Sequence, residues 1–472
     1  MTVTEPGWDA ERGPYRYREQ ELIVGLPQLP LVVSKLDDLA IGHGPAETSE
    51  LLGLGRIFLD DVAAAAGTVT RHVAQLPAPS GPAGPSGSAG RTPLPLDELL
   101  AGLRRLFAAE YAGYFPPLGK NRLVGRVHGV GKISYGGDHD PAPNGKISYG
   151  GGGGPQPAGK ISYGGGGDPL GKISYGGGTE PIAKLAESLA ARAAGPGHGV
   201  RVGVLDTRLA PQPWLAGGWV ARFSDLVPDG SVPQMPEGHA TFITGLVLGQ
   251  APGATVEVRG VLGEDGTADS WQVAHEIVRF ARSGIDVLNL SFLCYSEDGQ
   301  PPMVLTAAID RVGPDVVVVA AAGNHGDLPS EPSDPADPAT GNQNRKPAWP
   351  AALDRVIAVG ASHPDGTRAD FSPDAPWVDL QAEGVDLRST YLMRAQTSSS
   401  DPTPVEFNGF AEWSGTSFAA ALVSGAIAAS TDPGRISSRD AARDIIALAG
   451  GTDAPTLFSH TYAPFVRLRR FL

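Results

Sequence analysis

The stretch Gly415-Thr416-Ser417-Phe418-Ala419-Ala420 places a serine at the start of an apolar, alanine-rich run that is typical of a buried helix. The small residues before Ser417 predict a turn that leaves its hydroxyl accessible. A helix N-terminus also places partly positive N–H groups beside any anion that forms there. Because Gly-Thr-Ser makes ordinary N-caps as well, the stretch indicates a nucleophile only if an acid, a base and an oxyanion donor lie elsewhere in the chain.

Apolar strand patterns alternate with helical patterns upstream of this stretch. Strands are predicted at 200–205, 256–262, 286–292, 316–321 and 356–360. Helices are predicted between them at 270–283 and 303–312. This alternation predicts an α/β fold with a parallel sheet that is flanked by helices on both faces. In such sheets active sites lie at the carboxyl ends of the strands.

Three polar residues stand where that rule places chemistry. Asp206 directly follows the first strand, and a carboxylate there can orient a histidine. His239 begins an apolar, helix-like run, and histidine side chains suit proton transfer near neutral pH. Asn324 follows the strand at 316–321, where a side-chain amide can donate to a developing oxyanion. Taken singly, each has an ordinary alternative: a turn-capping aspartate, a surface or core histidine, and an asparagine in a turn.

Taken together, these residues and Ser417, each in its local sequence, resemble the subtilisin-like serine proteases, the subtilase (peptidase S8-like) family. The Asp, His, Ser order along the chain is that of subtilisin. The resemblance covers about residues 196–450 and implies a serine endopeptidase that hydrolyses peptide bonds through an acyl-enzyme. It implies that Ser417 is the nucleophile and His239 the general base. Asp206 would orient His239, and Asn324 would donate to the oxyanion.

The resemblance also implies where a substrate binds. Leu290, Ser291 and Phe292 would form an edge that clamps an extended peptide. Ala322 and Gly323 would line its first specificity pocket. No cofactor and no metal ligand are predicted. Family members often bind structural calcium, but no acidic cluster in this sequence marks such a site.

The chain departs from the family pattern at four positions near the motifs. Arg208 and Ala240 stand where the family usually has glycine, Phe418 where it has methionine, and Ala421 where it has proline. None of these positions carries a catalytic group, so the implied triad is complete. Phe418, next to the nucleophile, is expected to narrow the cleft. The departures leave one alternative open, a catalytically weak pseudoprotease or scaffold that binds peptides without hydrolysing them.

Composition divides the rest of the chain. Residues 1–76 predict a small α+β accessory or pro-domain-like module. Residues 77–130 combine a Pro/Gly-rich linker with an amphipathic helix, which starts near residue 97. Residues 131–181 are a low-complexity linker with four repeats, and 182–472 hold the predicted protease domain.

The repeat Gly-Lys-Ile-Ser-Tyr-Gly-Gly starts at Gly131, Gly145, Gly159 and Gly171. One interpretation is a flexible spacer. The other is a set of extended peptide ligands, because such a segment can add as a strand to a sheet edge, and a protease cleft offers such an edge. A spacer alone does not need a repeated isoleucine and tyrosine. The second interpretation predicts intramolecular binding of the repeats and an enzyme that is autoinhibited or self-processed through its N-terminal region.

Charge and composition restrict the partners. The net charge of −14 argues against nucleic-acid binding, and the single cysteine, Cys294, excludes an intramolecular disulfide. Residues 1–12 lack the apolar core of a signal peptide, and no run of about 18 apolar residues predicts a membrane span. We therefore expect a cytoplasmic protein whose partner is a peptide or protein substrate, with secretion by another route left open.

Overall fold

The computed structural model describes residues 16–77, 94–127, 195–326 and 345–449, apart from positions 216, 221, 265, 399–400 and 408. The four repeats lie outside the described residues, and so do residues 182–194, whose Ala/Leu-rich sequence predicts a helix. None of the described helices combines the length and the apolar character that crossing a bilayer requires.

The elements of the N-terminal part are β1 (Tyr17–Gly25), α1 (Leu29–Asp38), β2 (Glu47–Ser49), β3 (Leu54–Phe58), α2 (Val62–Val73), α3 (Pro95–Glu110) and β4 (Leu118–Arg126). Those of the larger part, up to its central strands, are β5 (Arg201–Asp206), α4 (His239–Gln250), β6 (Thr255–Gly260), β7 (Thr267–Asp269), α5 (Ser270–Ala281), β8 (Val287–Leu290), β9 (Phe292–Leu293), α6 (Met303–Ile309) and β10 (Val317–Ala321). The remaining elements are β11 (Val356–Ser362), β12 (Leu380–Glu383), β13 (Leu387–Thr390), β14 (Arg394–Ser398), β15 (Asp401–Glu406), β16 (Phe410–Trp413), α7 (Thr416–Ser430) and α8 (Ser438–Ala449).

A six-stranded parallel sheet in the order β12-β11-β10-β8-β5-β6 forms the centre of the larger part. Every residue of β8 and β10 is buried, because helices cover both faces. Helices α4 and α7 pack with one set of strand side chains, and α5 and α6 pack with the alternate set. The predicted α/β fold is therefore confirmed, and so are the five predicted strands.

The strand predicted at 286–292 is divided into two. Residues Val287–Leu290 belong to the parallel sheet as β8. The chain then leaves that sheet at Ser291, and Phe292–Leu293 form β9, which pairs antiparallel with β4. The sequence does not predict this change of pairing partner, because both halves are buried and therefore form one continuous apolar run.

The N-terminal part is one folded unit from Tyr17 to Arg126. Its antiparallel sheet has the order β2-β3-β1-β4, and its three helices enclose a separate apolar core with it. Helix α3 packs its leucine face against α2, and β4 supplies the hydrogen bonds that complete the free edge of β1. The structure therefore differs from the predicted boundary at residue 76, because the helix and strand beyond the linker belong to this module.

Strand β4 joins the two parts of the molecule. Its last residues pair antiparallel with two strands of the larger part, with β7 on one edge and with β9 on the other. The module also packs side chains such as Ile23, Leu54 and Val124 into the apolar cluster that surrounds α5 and α6. The C-terminal end of β4 consequently lies at the carboxyl end of β8, where the predicted site residues are found.

Candidate active site

The end of β5 and the start of α4 bring Asp206 and His239 together. The Nδ1 atom of His239 lies 2.8 and 2.9 Å from the two carboxylate oxygens of Asp206, and both side chains are fully buried. The Thr207 N–H donates to Asp206 Oδ1 over 2.7 Å. Since an ionised carboxylate can only accept, Nδ1 carries the proton in this pair. The other ring nitrogen, Nε2, is then left with its lone pair.

A threonine and a glycine hold this pair in place. The Thr207 hydroxyl donates to the carbonyl of Glu237 and accepts from the N–H of Ala240, both over 3.1 Å, which ties the end of β5 to the first turn of α4. Gly238 precedes that helix, and a Cβ there would lie 2.2 Å from the Tyr391 ring. Only glycine therefore allows the chain to enter α4 so close to Tyr391.

Ser417 lies in the first turn of α7, as the sequence predicts. Its side chain is almost completely buried, and neither its Oγ nor His239 Nε2 has a hydrogen-bond partner. These two atoms are thus the unpaired polar groups of the arrangement. Buried groups without partners cost free energy, and in native proteins they often mark a functional site.

Phe418 occupies a different place from the expected one. Its side chain is fully buried, and its ring centroid lies 4.5 Å from that of Phe242, 5.0 Å from that of Trp413 and 5.5 Å from that of His239. The ring therefore belongs to the core and supports the imidazole from that side. The expectation that Phe418 narrows the cleft is wrong, because the first turn of α7 directs its ring into the apolar cluster.

The amide of Asn324 is held by the residue before the serine. Its Oδ1 accepts from both the N–H and the hydroxyl of Thr416, each over 3.0 Å. The same hydroxyl accepts from the N–H of Gly323 over 3.0 Å. Because a backbone N–H can only donate, this pattern identifies Oδ1 and leaves Nδ2 as the donor of the amide. Thr416 was not predicted as a site residue, although its place within Gly-Thr-Ser was the available signal.

The predicted substrate-binding residues fall into two groups. Ser291 and Phe292 meet the end of β4: the Ser291 carbonyl accepts from the N–H of Val127 over 3.1 Å, and Phe292 lies opposite Arg126. Leu290 is fully buried in the core. Ala322 and Gly323 directly precede Asn324 in the chain. Ala322 is buried, and its N–H donates to the Val359 carbonyl of β11. Of the predicted edge, Ser291 and Phe292 are thus the residues in contact with an extended strand.

A chain of buried hydrogen bonds connects the two edges of the site. The Ser424 hydroxyl donates to Asn289 Oδ1 over 3.0 Å, and Asn289 Nδ2 donates to Ser291 Oγ over 2.9 Å. Ser291 Oγ in turn donates to the carbonyl of Ser417 over 3.3 Å. The position of α7 is therefore coupled to that of the clamping edge. Sequence reasoning missed Asn289 and Ser424, whose signal was a polar residue within an apolar strand and helix.

His325 follows Asn324 and fixes the same loop. The Tyr295 hydroxyl donates to its Nδ1 over 2.9 Å, and its Nε2 donates to the carbonyl of Lys346 over 3.1 Å. The side chain is buried, and this burial lowers the pKa of His325 to about 4. The imidazole is consequently neutral near pH 7, which matches its roles as one acceptor and one donor.

We expect acid to destabilise the protein through His325. In the unfolded chain a histidine binds its proton near pH 6.5, whereas in the folded protein the pKa of His325 is about 4. The stabilisation is therefore complete above about pH 6.5 and is lost as the pH falls towards 4, by about 3 kcal/mol in total. Urea unfolding of Ser417→Ala protein at pH 7 and 4.5, with and without His325→Gln, should show a smaller loss in the double variant. Equal losses would contradict this expectation.

The other departures from the family pattern are accommodated without changing the site. Arg208 is exposed, and Gly260 makes room for it, since a Cβ on Gly260 would lie 2.7 Å from Arg208 Cγ. Ala240 and Ala421 are fully buried within α4 and α7. Helix α7 runs from Thr416 to Ser430 without a break. Within the described ranges no group of three or more His, Cys, Asp or Glu side chains is arranged to hold a metal ion.

Comparisons with known proteins agree with this geometry. Residues 197–450 match the subtilase family, peptidase S8. Subtilisin BL of Lederbergia lenta is 31% identical over 204 residues, which cover 41% of this chain and 67% of that protein. Subtilisin DY of Bacillus licheniformis is 31% identical over 217 residues, covering 43% of this chain and 70% of that protein.

The structure of fervidolysin from Fervidobacterium pennivorans, a keratinolytic enzyme related to subtilisin, has the same fold. The TM-score between the two structures is 0.53 at 16% sequence identity, and the match covers 98% of this chain and 62% of the fervidolysin chain. The fold and the site thus define a serine hydrolase with a parallel α/β sheet. The chain belongs to the subtilase family and is a subtilisin-type serine endopeptidase.

Proposed function

We propose that Asp206, His239 and Ser417 are the catalytic triad of this serine endopeptidase, and that the N-terminal module of residues 16–127 occupies the substrate cleft. The module would keep the enzyme inactive until it leaves. The observation that carries the proposal is the pairing of β4 with β7 and β9, which ends at Ser291, whose hydroxyl donates to the Ser417 carbonyl. Each part of the proposal has its own support and its own test.

The chemistry follows from the proton positions. Ser417 Oγ attacks the peptide carbonyl and transfers its proton to His239 Nε2, which is free to accept because Nδ1 is protonated against Asp206. The negative charge on the carbonyl oxygen is stabilised by Asn324 Nδ2 and by the N–H of Ser417 at the start of α7. His239 then protonates the leaving amine, and water releases the acyl group by the reverse path. We expect the Ser417–His239 hydrogen bond to form when a peptide bond is in place.

The end of β4 resembles a bound peptide. It is extended, and it lies between two strands of the larger part, β7 and β9. The N–H of Arg126 donates to the Gly266 carbonyl over 2.9 Å, and the N–H of Val127 donates to the Ser291 carbonyl over 3.1 Å. When a protein binds an added strand, main-chain hydrogen bonds provide affinity that depends little on the side chains of that strand. A separate substrate therefore competes with β4 for the same edges.

Charged groups fasten the module beside the cleft. Glu297 of the larger part lies 2.7 Å from Arg122 Nη2 and 3.0 Å from Lys120 Nζ. Both basic side chains are buried. Burial opposes the ionisation of Glu297, but the charge and hydrogen bond of Arg122 and the charge of Lys120 outweigh it and lower the pKa of Glu297. We call this trio the Glu297 latch.

Opening the Glu297 latch should activate the full chain. For Glu297→Ala we expect the initial rate of hydrolysis of an added peptide to rise roughly 30-fold or more, since removing one partner of a buried charge pair costs at least about 2 kcal/mol. Because the pKa of Glu297 is lowered in the closed form, closure is strongest above the ordinary carboxylate pKa and weakens as the pH falls through the lowered value. Acidification should therefore activate the wild type more than the variant.

The matched control for the latch is Glu276→Ala. Glu276 also pairs with an arginine, Arg279, but both residues belong to the protease part and lie one turn apart on the exposed face of α5. Its initial rate should equal that of the wild type. Equal rates for Glu297→Ala and Glu276→Ala would show that the latch does not hold the cleft closed.

The geometry also supports a position for self-cleavage. Val127 follows β4 and donates through its N–H to the Ser291 carbonyl, and the Ser291 hydroxyl donates to the Ser417 carbonyl. We propose that the enzyme cuts the bond after Val127. Cleavage there would leave the four Gly-Lys-Ile-Ser-Tyr-Gly-Gly copies attached to the protease domain, because the first begins at Gly131. We propose that they then compete for the edges that β4 has left.

Two measurements test the proposal. A fluorophosphonate probe should label the purified chain, and Ser417→Ala should remove the labelling. Mass spectrometry of the active form should find a new N-terminus at residue 128. Absence of Ser417-dependent labelling, even after acid treatment or in the Glu297→Ala variant, would favour the pseudoprotease and refute the catalytic assignment. A fully active chain with an intact N-terminal module would refute the inhibitory role.

A further inference from the structure

We infer that the cleft selects arginine at the second substrate residue before the cleaved bond, followed by a small apolar residue at the first. The substrates would then be peptides and proteins that carry an Arg-Val-like pair directly before the cut. The inference rests on the proposed function, because it takes the end of β4 as the image of a bound substrate.

The side chains at the end of β4 differ strongly in burial. Val124 is fully buried, Arg126 is 4% exposed and Val127 is 2% exposed. Between them, a Cβ added to Gly125 would meet no atom within 4 Å. Arginine is almost never so deeply buried unless it is paired. The cleft therefore holds three side chains of this strand and leaves the fourth position open.

The site of Arg126 is shaped by a glycine turn. Gly266 has a φ of +73°, and a Cβ there would lie 2.8 Å from Arg126 Nε and 2.9 Å from its Cδ. The long side chain thus lies directly on the backbone of this turn. The turn is closed by hydrogen bonds of 2.9 Å from the Gly266 N–H to Gly263 and from the Gly263 N–H to Thr267. This wall belongs to the protease part and remains when β4 is replaced.

The same wall carries negative charge. Glu264 lies in the turn, and it lines one cleft together with Glu237 and Arg208. Burial, together with the charge of Glu264, raises the pKa of Glu237. The hydrogen bond from the Gln234 N–H and the charge of Arg208 act in the opposite direction but do not cancel this rise. Asp269 and Arg18 line the same cleft, so that three carboxylates face two guanidinium groups. The lining therefore has an excess of one negative charge, which favours a further guanidinium in the neighbouring site.

The site of Val127 is of the opposite kind. Its side chain belongs to the apolar cluster of α4 and α7, which also contains Phe418. A small apolar side chain fits there without leaving a polar group unpaired. The preference for a cationic residue followed by an apolar one therefore has two separate causes, the wall beside Arg126 and the apolar cluster around Val127.

Synthetic peptides separate a substrate preference from a purely structural role of Arg126. The probe is an internally quenched peptide with the sequence of residues 123–130, Leu-Val-Gly-Arg-Val-His-Gly-Val, compared with versions that carry alanine or glutamate in place of arginine. They are incubated with the full chain once its activity has reached its plateau. We expect kcat/KM to be about tenfold or more higher for the arginine peptide than for the alanine peptide, and lowest for glutamate. Mass spectrometry should place the cut after valine.

Variants of the wall connect the preference to its cause. Glu264→Gln should lower the ratio of arginine to alanine peptide hydrolysis, whereas Glu276→Gln, on the exposed face of α5, should leave that ratio unchanged. Equal hydrolysis of the arginine and alanine peptides, or a cut elsewhere, would overturn the inference and leave the endopeptidase itself intact. Hydrolysis of no peptide, together with no Ser417-dependent labelling, would overturn the proposed function and the inference with it.

Discussion

Replacing Ser417 with alanine should reduce kcat/KM for peptide hydrolysis by about five to six orders of magnitude. We base this magnitude on the loss caused by replacing the catalytic serine of subtilisin. The physical reason is that the proposed reaction begins with attack by Ser417 Oγ, and alanine has no oxygen in that place. Ser417 Oγ and His239 Nε2 are both buried without a hydrogen-bond partner. His239→Ala should cause a loss of similar size. The double variant should be no worse than either single one, because the two residues act as a unit.

A second buried serine provides the control for this experiment. Ser362 in β11 is fully buried, and its Oγ also has no hydrogen-bond partner. Ser362→Ala therefore removes the same atom from a buried serine that is not hydrogen-bonded to Asp206, His239 or Ser417 through its side chain. It should keep the activity and the thermal stability of the wild type. A Ser417→Ala protein that retains more than about one per cent of the activity would show that another residue is the nucleophile.

Replacing Asn324 with alanine should reduce kcat by roughly 100- to 1000-fold and leave KM nearly unchanged. This is the magnitude found for the corresponding asparagine of subtilisin. The amide oxygen is held by two bonds from Thr416, so the donor Nδ2 is pre-oriented before any substrate binds. Such a donor stabilises charge that exists only in the transition state, and its loss therefore affects the chemical step and not substrate binding.

Two further variants make the second prediction specific. Thr416→Val removes the hydroxyl that bridges Gly323 and Asn324, and it should lower kcat by less than Asn324→Ala does. Gln381→Ala removes a buried amide from β12 whose Nε2 has no partner, and it should leave kcat unchanged. A rise in KM without a fall in kcat for Asn324→Ala would place this residue in substrate binding instead.

The proposed catalytic residues were accessible from the sequence because each of them has a local signature. Asp206 follows an apolar strand, His239 begins a helix, and Ser417 follows small residues before an alanine-rich run. The carboxyl ends of parallel strands converge at one edge, so these local signatures predict a shared location. The distance of 2.8 Å between His239 Nδ1 and Asp206 Oδ1 agrees with that prediction.

Other features had no local signature. Strand β4 pairs with β7 across more than 140 positions, for example Val124 with Ala268. Its pattern predicts neither which sheet edge it joins nor that its last residues enter a cleft. The partition of residues 286–292 between two sheets and the inward direction of Phe418 were likewise decided by neighbours from distant parts of the chain.

The sequence by itself determined the class of fold, the four polar residues of the site and their order along the chain. These depend on the period of apolar residues and on short motifs, both of which are local properties. Only the tertiary structure decided that the end of β4 pairs with β7 and β9, with Arg126 buried against Gly266 and Val127 paired to Ser291. The physical reason is that strand pairing is made by backbone groups that every residue carries, so the choice of partner belongs to the assembled sheet edges.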